Sequence, residues 1–120
     1  MIAAQLADLI GPEQVTAEAE ALAAHRFDRW CLKHWQDWRG EALDAPACVV
    51  RPRDSAEVQA VVRFAAEHNV AIVPWGLGSG VCGGIEPQPD QILIDMSAMN
   101  RVLSIDEENL LLTVEAGING

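Results

Sequence analysis

Five of the nine glycines in this 120-residue chain stand within nine consecutive positions, in the segment WGLGSGVCGG at 75–84. Because glycine lacks Cβ, it can adopt positive φ angles and lets a ligand approach the main chain closely. Such a run can turn several backbone N–H groups toward one anion, as in the backbone nests that bind phosphates. Ser79 adds a hydroxyl donor. The chemistry to which these residue types are suited is the binding of a phosphate or pyrophosphate.

Two common phosphate-binding motifs do not account for this segment. Residues 78–83 form a literal GxGxxG, but in the dinucleotide-binding fold that motif must open a helix whose N-terminal amides meet the pyrophosphate. Here EPQP at 86–89 opposes a helix. A Walker loop is also excluded, because the nearest lysine is Lys33. The loop alone leaves an anion nest, a flexible surface loop and a tight strand crossing open, although Leu77 and Val81 argue against a free linker.

The other titratable residues show no catalytic pattern. His68 closes a predicted helix, where the helix dipole favours a cation. His25 and His34 are nine residues apart, which matches no metal-ligand motif. Asp95 is expected to cap a turn, and Glu107-Glu108 to form a solvated hairpin tip. We therefore predict no metal site.

The three cysteines, Cys31, Cys48 and Cys82, are odd in number and lie 17 and 34 residues apart. This spacing fits neither a disulfide framework nor a CxxC metal knuckle. We predict that they are reduced and mostly buried, as free cysteines usually are.

A helix near residues 55–68 is the clearest element that could position the loop. Asp54 and Glu57 have the spacing of a capping box, and Asn69 suits the left-handed position that follows a helix. Apolar residues at helical spacing predict one face that packs on a sheet, formed by Val58, Val61, Val62 and Ala65.

This helix lies between two predicted strands, at 48–52 and 71–75, which makes a βαβ unit. After the glycine loop, QILIDM at 91–96 predicts a strand. VLSID at 102–106 and LLLTVEAG at 110–117 predict a hairpin with its tip near 107–109. Strand-like runs replace the helical period after residue 70, so we expect an α+β sheet with no helix starting at the loop.

Residues 1–45 have a helical character, and we assign them to an N-terminal arm that precedes the main unit at 46–120. Gly11-Pro12 breaks the opening segment, and Thr16 is a candidate N-cap for AEAEALAAH. Three tryptophans follow, which form either an aromatic binding surface or, as we favour, anchors of the arm on the rest of the fold: Trp30, Trp35 and Trp38.

The composition excludes several classes of partner. With 8 basic and 18 acidic residues the formal charge is −10, which repels a phosphodiester backbone and an acidic membrane surface. No apolar run reaches the roughly 20 residues that span a bilayer. The opening MIAAQLADLI has no basic region and indicates an amphipathic helix rather than a signal peptide. A cytoplasmic location is the default expectation.

Taken in order, three segments resemble the N-terminal half of the FAD-binding domain of the vanillyl-alcohol oxidase/p-cresol methylhydroxylase (PCMH-type) superfamily. They are PACVVRPRDSAEVQAVVRFAAEHNVAIVPWGLGSGVCGG, ILIDMSAMNRVLSID and LLLTVEAGING. Within the superfamily the chain looks like FAD-linked oxidases of the D-lactate dehydrogenase and glycolate oxidase large-subunit type, and like alkyldihydroxyacetonephosphate synthase. The resemblance covers residues 46–120 well and residues 1–45 loosely.

The resemblance implies FAD as the cofactor, bound non-covalently because the loop lacks the histidine to which some members attach flavin. Cys82 is not expected to replace it. The family often has an arginine or a small residue where this chain has Trp75, so the contact at that position is open. The implied cofactor-binding residues are Pro74, Trp75, Gly76, Leu77, Gly78, Ser79 and Gly80 in the cradle, and Gly83 and Gly84 in the close approach after it.

The activity that the resemblance implies is a flavin-dependent oxidation of a small-molecule D-2-hydroxy acid. A part of an alkyldihydroxyacetonephosphate synthase-like enzyme is the alternative, and a stand-alone flavin-binding or interaction module is another. Family members continue with a second loop that contacts FAD and with a substrate domain. We therefore expect this chain to be a fragment that is inactive alone and that self-associates through uncovered strands.

Overall fold

The computed structural model describes all residues, 1–120, and shows an alternation of short helices and strands. The α-helices are α1 (Ile2–Ile10), α2 (Ala19–Ala24), α3 (Cys31–Trp38) and α4 (Ser55–Glu67). The strands are β1 (Val15–Thr16), β2 (Cys48–Val50), β3 (Ile72–Trp75), β4 (Ile92–Asp95), β5 (Val102–Asp106) and β6 (Leu111–Val114). Single 3₁₀ turns occur at Pro12–Gln14 and Met96–Ala98.

Four strands form the main sheet, in the order β1-β2-β4-β3. Both β2 and β3 run parallel to β4, whereas β1 pairs antiparallel with β2. The predicted βαβ unit is therefore present as β2, α4 and β3, but β4 inserts between its two strands. The predicted α+β architecture is confirmed.

The core lies between this sheet and the pair of helices α1 and α4, which contact each other. All residues of β2 and β4 are buried, as expected of central strands covered on their faces. Helix α4 contributes Val61, Phe64 and Ala65 to the core. The prediction that Val62 belongs to the apolar face is wrong: Val62 is exposed, and Phe64 faces the sheet instead. Val62 and Phe64 both lie beside Val61 on the helix surface, and the contact of α4 with α1 determines which of the two is buried.

The ends of α4 follow the sequence signals. The Glu57 N–H donates to Asp54 Oδ1 at 2.9 Å, the expected cap. The Glu57 carboxylate accepts from the Arg53 N–H at 2.8 Å rather than from that of Asp54, so the box is shifted by one residue. Asn69 adopts φ 54°, and the Val70 N–H donates to the Ala65 carbonyl at 2.9 Å, which closes the helix as predicted.

The helical character predicted for residues 1–45 is confirmed by α1, α2 and α3, with one departure. Val15 and Thr16 form β1, with Thr16 opposite Val49, because β2 would otherwise be an edge strand. Thr16 is therefore not the N-cap of α2, which begins at Ala19 after Glu18; its hydroxyl accepts the Glu18 N–H at 3.2 Å instead.

The aromatic and sulfur side chains are more exposed than predicted. Trp35 and Trp38 on α3 are 51% and 81% exposed, so the anchoring role predicted for the three tryptophans applies to Trp30 alone. Cys48 is buried, and burial raises its pKa to about 11. Cys31 and Cys82 are exposed, which contradicts the predicted burial, although all three thiols are free.

Strands β5 and β6 form the predicted hairpin as a separate two-stranded sheet with a bulge near Val102. The Asp106 carboxylate accepts from the Asn109 N–H at 2.9 Å and so stabilises the turn. Six apolar side chains of the hairpin are exposed: Val102, Leu103, Ile105, Leu110, Leu111 and Leu112.

The helices of the chain are all too short or too polar to span a bilayer.

Candidate functional site

The glycine loop begins directly after β3, at the edge of the sheet where the parallel strands β2, β3 and β4 all end. Ligands of open sheets with parallel strands are commonly bound outside these carboxyl ends. Residues 76–91 contain no helix and no strand. The exclusion of the dinucleotide-binding motif is thus confirmed, because the loop leads into an extended segment and not into a helix.

The free amide groups of the loop are its main chemical feature. None of the backbone N–H groups of residues 76–83 donates to an acceptor within the chain. The next one, that of Gly84, donates to Asp28 Oδ2 at 3.1 Å. Backbone donors need a partner, and at this loop, where Gly78 alone is buried, the partner is water or a ligand. Eight consecutive unpaired donors are a suitable set for an oxyanion with several oxygens.

Glycine is required at two positions of the loop by the backbone itself. Gly78 has φ +62° and Gly83 has φ +73°. A Cβ at Gly78 would lie 2.3 Å from Cζ2 of Trp75, and one at Gly83 would lie 2.5 Å from Cε3 of Trp30. The loop is thus folded closely over two indole rings, and a side chain at either position would displace a ring.

The far end of the loop is held by the segment 28–30 of the arm, in which the sequence pointed only to Trp30. The Arg29 N–H donates to the Gly80 carbonyl at 2.8 Å. Asp28 is only 3% exposed, and its carboxylate accepts the N–H groups of Trp30 and Gly84. One acidic residue among many in the arm carries no signal in the sequence, because its partner Gly84 lies 56 residues away.

A cleft of about 410 Å³ opens between the arm and the start of the loop. Its lining includes Arg26, Arg29 and His34 from the arm, and Leu77 and Gly78 from the loop. Six of the eight basic residues of the chain are engaged in ion pairs, among them Arg26 with Asp37. Arg29 forms no ion pair and is the free cation of this cleft.

A buried cluster of charged side chains lies beside Trp75, at the start of the loop. Asp95, at the end of β4, is 2% exposed and accepts from the Ser97 N–H and from Arg51 Nε, each at 2.9 Å. Its Oδ2 lies 3.5 Å from His25 Nε2, and the His25 ring packs on Trp75 with centroids 4.7 Å apart. The structural role predicted for Asp95 is confirmed.

The cluster shifts two pKa values in opposite directions. Burial opposes the ionisation of Asp95, but the hydrogen bonds from His25, Ser97 and Arg51 outweigh it and hold the pKa of Asp95 well below its usual value. The hydrogen bond to Asp95 raises the pKa of His25 against the opposing effect of burial. No group of three or more His, Cys, Asp or Glu side chains is arranged to hold a metal ion.

The predicted site residues occupy one continuous path. It starts in β3, where Pro74 lies opposite Ile94, and it ends at the contact with Asp28. The residues that line the cleft are Trp75, Leu77 and Gly78; those that continue along the loop are Gly76, Ser79 and Gly80; and those that turn back onto the arm are Gly83 and Gly84.

The fold and the loop define a cofactor-binding domain, and a comparison with protein families identifies its class. A family model described as an FAD binding domain matches residues 46–120, which is more than half of the chain. The chain therefore belongs to the FAD binding domain family, whose members form part of flavin oxidoreductases.

Individual relatives agree with this assignment. Alkyldihydroxyacetonephosphate synthase of Trypanosoma brucei brucei is 32% identical over 97% of the chain and 20% of that protein. Glycolate oxidase subunit GlcD of Bacillus subtilis is 40% identical over 61% of the chain and 16% of that protein. A crystal structure of p-cresol methylhydroxylase shares the fold with a TM-score of 0.76, at 24% identity, over 98% of the chain and 22% of that protein. The chain spans about a fifth of the length of the proteins it matches.

Proposed function

We propose that residues 76–83 bind the pyrophosphate of FAD within a flavin-dependent oxidoreductase that oxidises a D-2-hydroxy acid of the D-lactate or glycolate type. The observation that carries the cofactor assignment is the row of eight backbone N–H groups without an acceptor in the chain. A pyrophosphate presents several oxygens to such a row, and each bond to a charged oxygen is stronger than one to a neutral acceptor.

The described residues fit an anionic cofactor. The predicted cradle, Pro74 to Gly80, supplies main-chain donors and the Ser79 hydroxyl, and Gly78 lets the loop fold against the Trp75 ring because it carries no side chain. Arg29 supplies a guanidinium that no carboxylate of the chain neutralises, and a guanidinium matches two phosphate oxygens at once. When bound, FAD supplies the two-electron acceptor; the residues of this chain hold and orient it.

The proposed binding is non-covalent. A covalent link requires a nucleophilic side chain beside the flavin ring, and residues 74–84 contain only Cys82 of the usual types. His25, whose ring packs on Trp75 at the start of the loop, is already engaged through both ring nitrogens, with Ala21 O at 2.7 Å and with Asp95. Neither ring nitrogen is free to form a bond to flavin.

Two relatives support different substrates. The similarity to a glycolate oxidase subunit, at 40% identity, favours a D-2-hydroxy acid. The similarity to an alkyldihydroxyacetonephosphate synthase has lower identity but extends over 97% of the chain, including the arm. The synthase-like function is therefore the second candidate. A flavin-binding module without catalysis is the third.

The test uses the complete gene product. We expect a yellow protein whose flavin spectrum is released into the supernatant by acid precipitation, which shows non-covalent FAD. Anaerobic addition of D-lactate or glycolate should bleach the flavin, whereas L-lactate should not. Formation of alkyldihydroxyacetonephosphate without bleaching would support the second candidate, and bound flavin with neither reaction the third. A colourless protein that does not bind added FAD would overturn the assignment of the site.

A further inference from the structure

Asp28 is a buried carboxylate without a cation. It is 3% exposed, forms no salt bridge, and meets only two backbone N–H groups, those of Trp30 at 2.9 Å and Gly84 at 3.1 Å. Burial of an unpaired acid is costly, and it is tolerated where hydrogen bonds compensate for the lost hydration. The bond from Trp30 lies within the arm and the bond from Gly84 joins the arm to the glycine loop, so this buried carboxylate lies at the contact between them.

The loop has little of its own to keep its shape. With no N–H of residues 76–83 bonded within the chain, its conformation is set from outside. The contacts at its far end all come from the segment 28–30: the Arg29 N–H reaches the Gly80 carbonyl, the Trp30 ring packs on Gly83, and Asp28 holds Gly84. If the loop is already ordered before its ligand binds, binding does not cost the conformational entropy of ordering the loop.

The carboxylate of Asp28 also places a negative charge beside the loop. A Cβ built on Gly80 would lie 3.0 Å from Asp28 Oδ2, so the carboxylate adjoins the loop there. Phosphate oxygens at this end would meet a buried negative charge, whose field is poorly screened in a low-dielectric surrounding. Asp28 also lines the cleft beside the start of the loop, where Arg29 contributes the opposite charge.

We propose that Asp28 is a positioning residue of the cofactor site: it anchors the far end of the glycine loop through Gly84, so that the loop holds its shape before the cofactor binds. This inference rests on the proposed binding of FAD by the loop. It assigns to the N-terminal arm, which lies outside the residues matched by the family model, a direct part in cofactor affinity.

The test compares Asp28→Ala and Asp28→Asn in the complete gene product, with Asp90→Asn as the control. Asp90 is exposed in a turn and its side chain makes no hydrogen bond or ion pair. Alanine removes both accepted bonds, and asparagine keeps one oxygen acceptor but places an amide NH₂ against the other donor. We expect FAD affinity to fall about tenfold or more in Asp28→Ala, less in Asp28→Asn, and not in Asp90→Asn.

A second measurement separates positioning from general stability. In the protein without added FAD, the Gly84 amide should exchange with solvent faster in both Asp28 variants, whereas the Ile94 amide in β4 should keep its wild-type protection. Unchanged FAD affinity in Asp28→Ala and Asp28→Asn would overturn the inference, as would equal loss of protection at Gly84 and Ile94. Failure of the wild-type protein to bind FAD would instead overturn the proposed function.

Discussion

Replacement of Gly78 by alanine tests the geometry of the loop most directly. Gly78 has φ +62°, and an added Cβ would lie 2.3 Å and 2.5 Å from Cζ2 and Cη2 of Trp75. An ordinary carbon–carbon contact is about 3.5 Å, so the ring must retreat by about 1 Å or the loop must refold. The ring has little room to retreat, because it packs on His25, which is itself held by Asp95.

The size of the effect follows from two contributions. An L-residue in the left-handed region costs about 1–2 kcal/mol, and forcing a partly buried ring out of its place costs about 1 kcal/mol at the lower end of the range for overpacking. Together they disfavour the loop conformation by about 2–3 kcal/mol. At about 1.4 kcal/mol per factor of ten, we expect FAD affinity to fall by about 30- to 140-fold in Gly78→Ala.

The assay is a titration of the apoprotein of the complete gene product with FAD, followed by the quenching of flavin fluorescence. Gly40→Ala is the matched control: Gly40 has φ +74° but nothing lies within 4 Å of the added Cβ, and it is at the end of α3. It should lower the free energy of unfolding by about 1 kcal/mol and leave FAD affinity unchanged. An equal loss of affinity in both variants, or a change below threefold in Gly78→Ala, would refute the reasoning.

Three further outcomes are expected. Asp95→Asn should flatten the pH dependence of the free energy of unfolding, measured in urea. In the wild-type protein the Asp95–His25 pair contributes its full stability between about pH 4 and pH 6.5. This contribution is lost at lower pH, as Asp95 protonates through its lowered pKa, and at higher pH, as His25 deprotonates through its raised pKa. Retention of both limbs in the variant would contradict the pairing. Residues 1–120 expressed alone should self-associate in light scattering through the exposed hairpin, and Ile105→Lys with Leu112→Lys should reduce this; an undiminished oligomer would exclude the hairpin as its cause. Cys82→Ser should keep its flavin, because the thiol is free and exposed; colourless protein would reopen a role for sulfur.

The loop shows how far a local argument reaches. The density of glycines predicts that a ligand can approach the main chain closely. The prolines that follow exclude a helix, and the structure confirms that none is present there. The requirement for positive φ, however, applies to Gly78 and Gly83 and not to Gly80. At Gly80 the constraint is the neighbouring Asp28 carboxylate, so Gly80→Val would disturb the loop by crowding that group rather than by backbone strain.

Elements whose signals lie within a few residues of one another were determined by the sequence itself. The cap at Asp54, the left-handed Asn69 and the hairpin tip closed by Asp106 depend on atoms no more than four or five positions apart. Such contacts form whatever the rest of the chain does, because side chain and backbone are already neighbours. The family resemblance adds the order of these elements.

The strand order and the contacts between residues far apart in the sequence follow from the tertiary structure alone. Strand β4 enters between β2 and β3, Val15–Thr16 becomes a strand because β2 offers an edge, and Asp28 finds Gly84 across 56 residues. The periodicity of α4 predicts that one side of the helix is apolar, but it does not predict which residue lies at the middle of the buried surface, because hydrophobic burial is non-directional. Only the placement of α1 against that side selects Phe64 for the core and leaves Val62 in water.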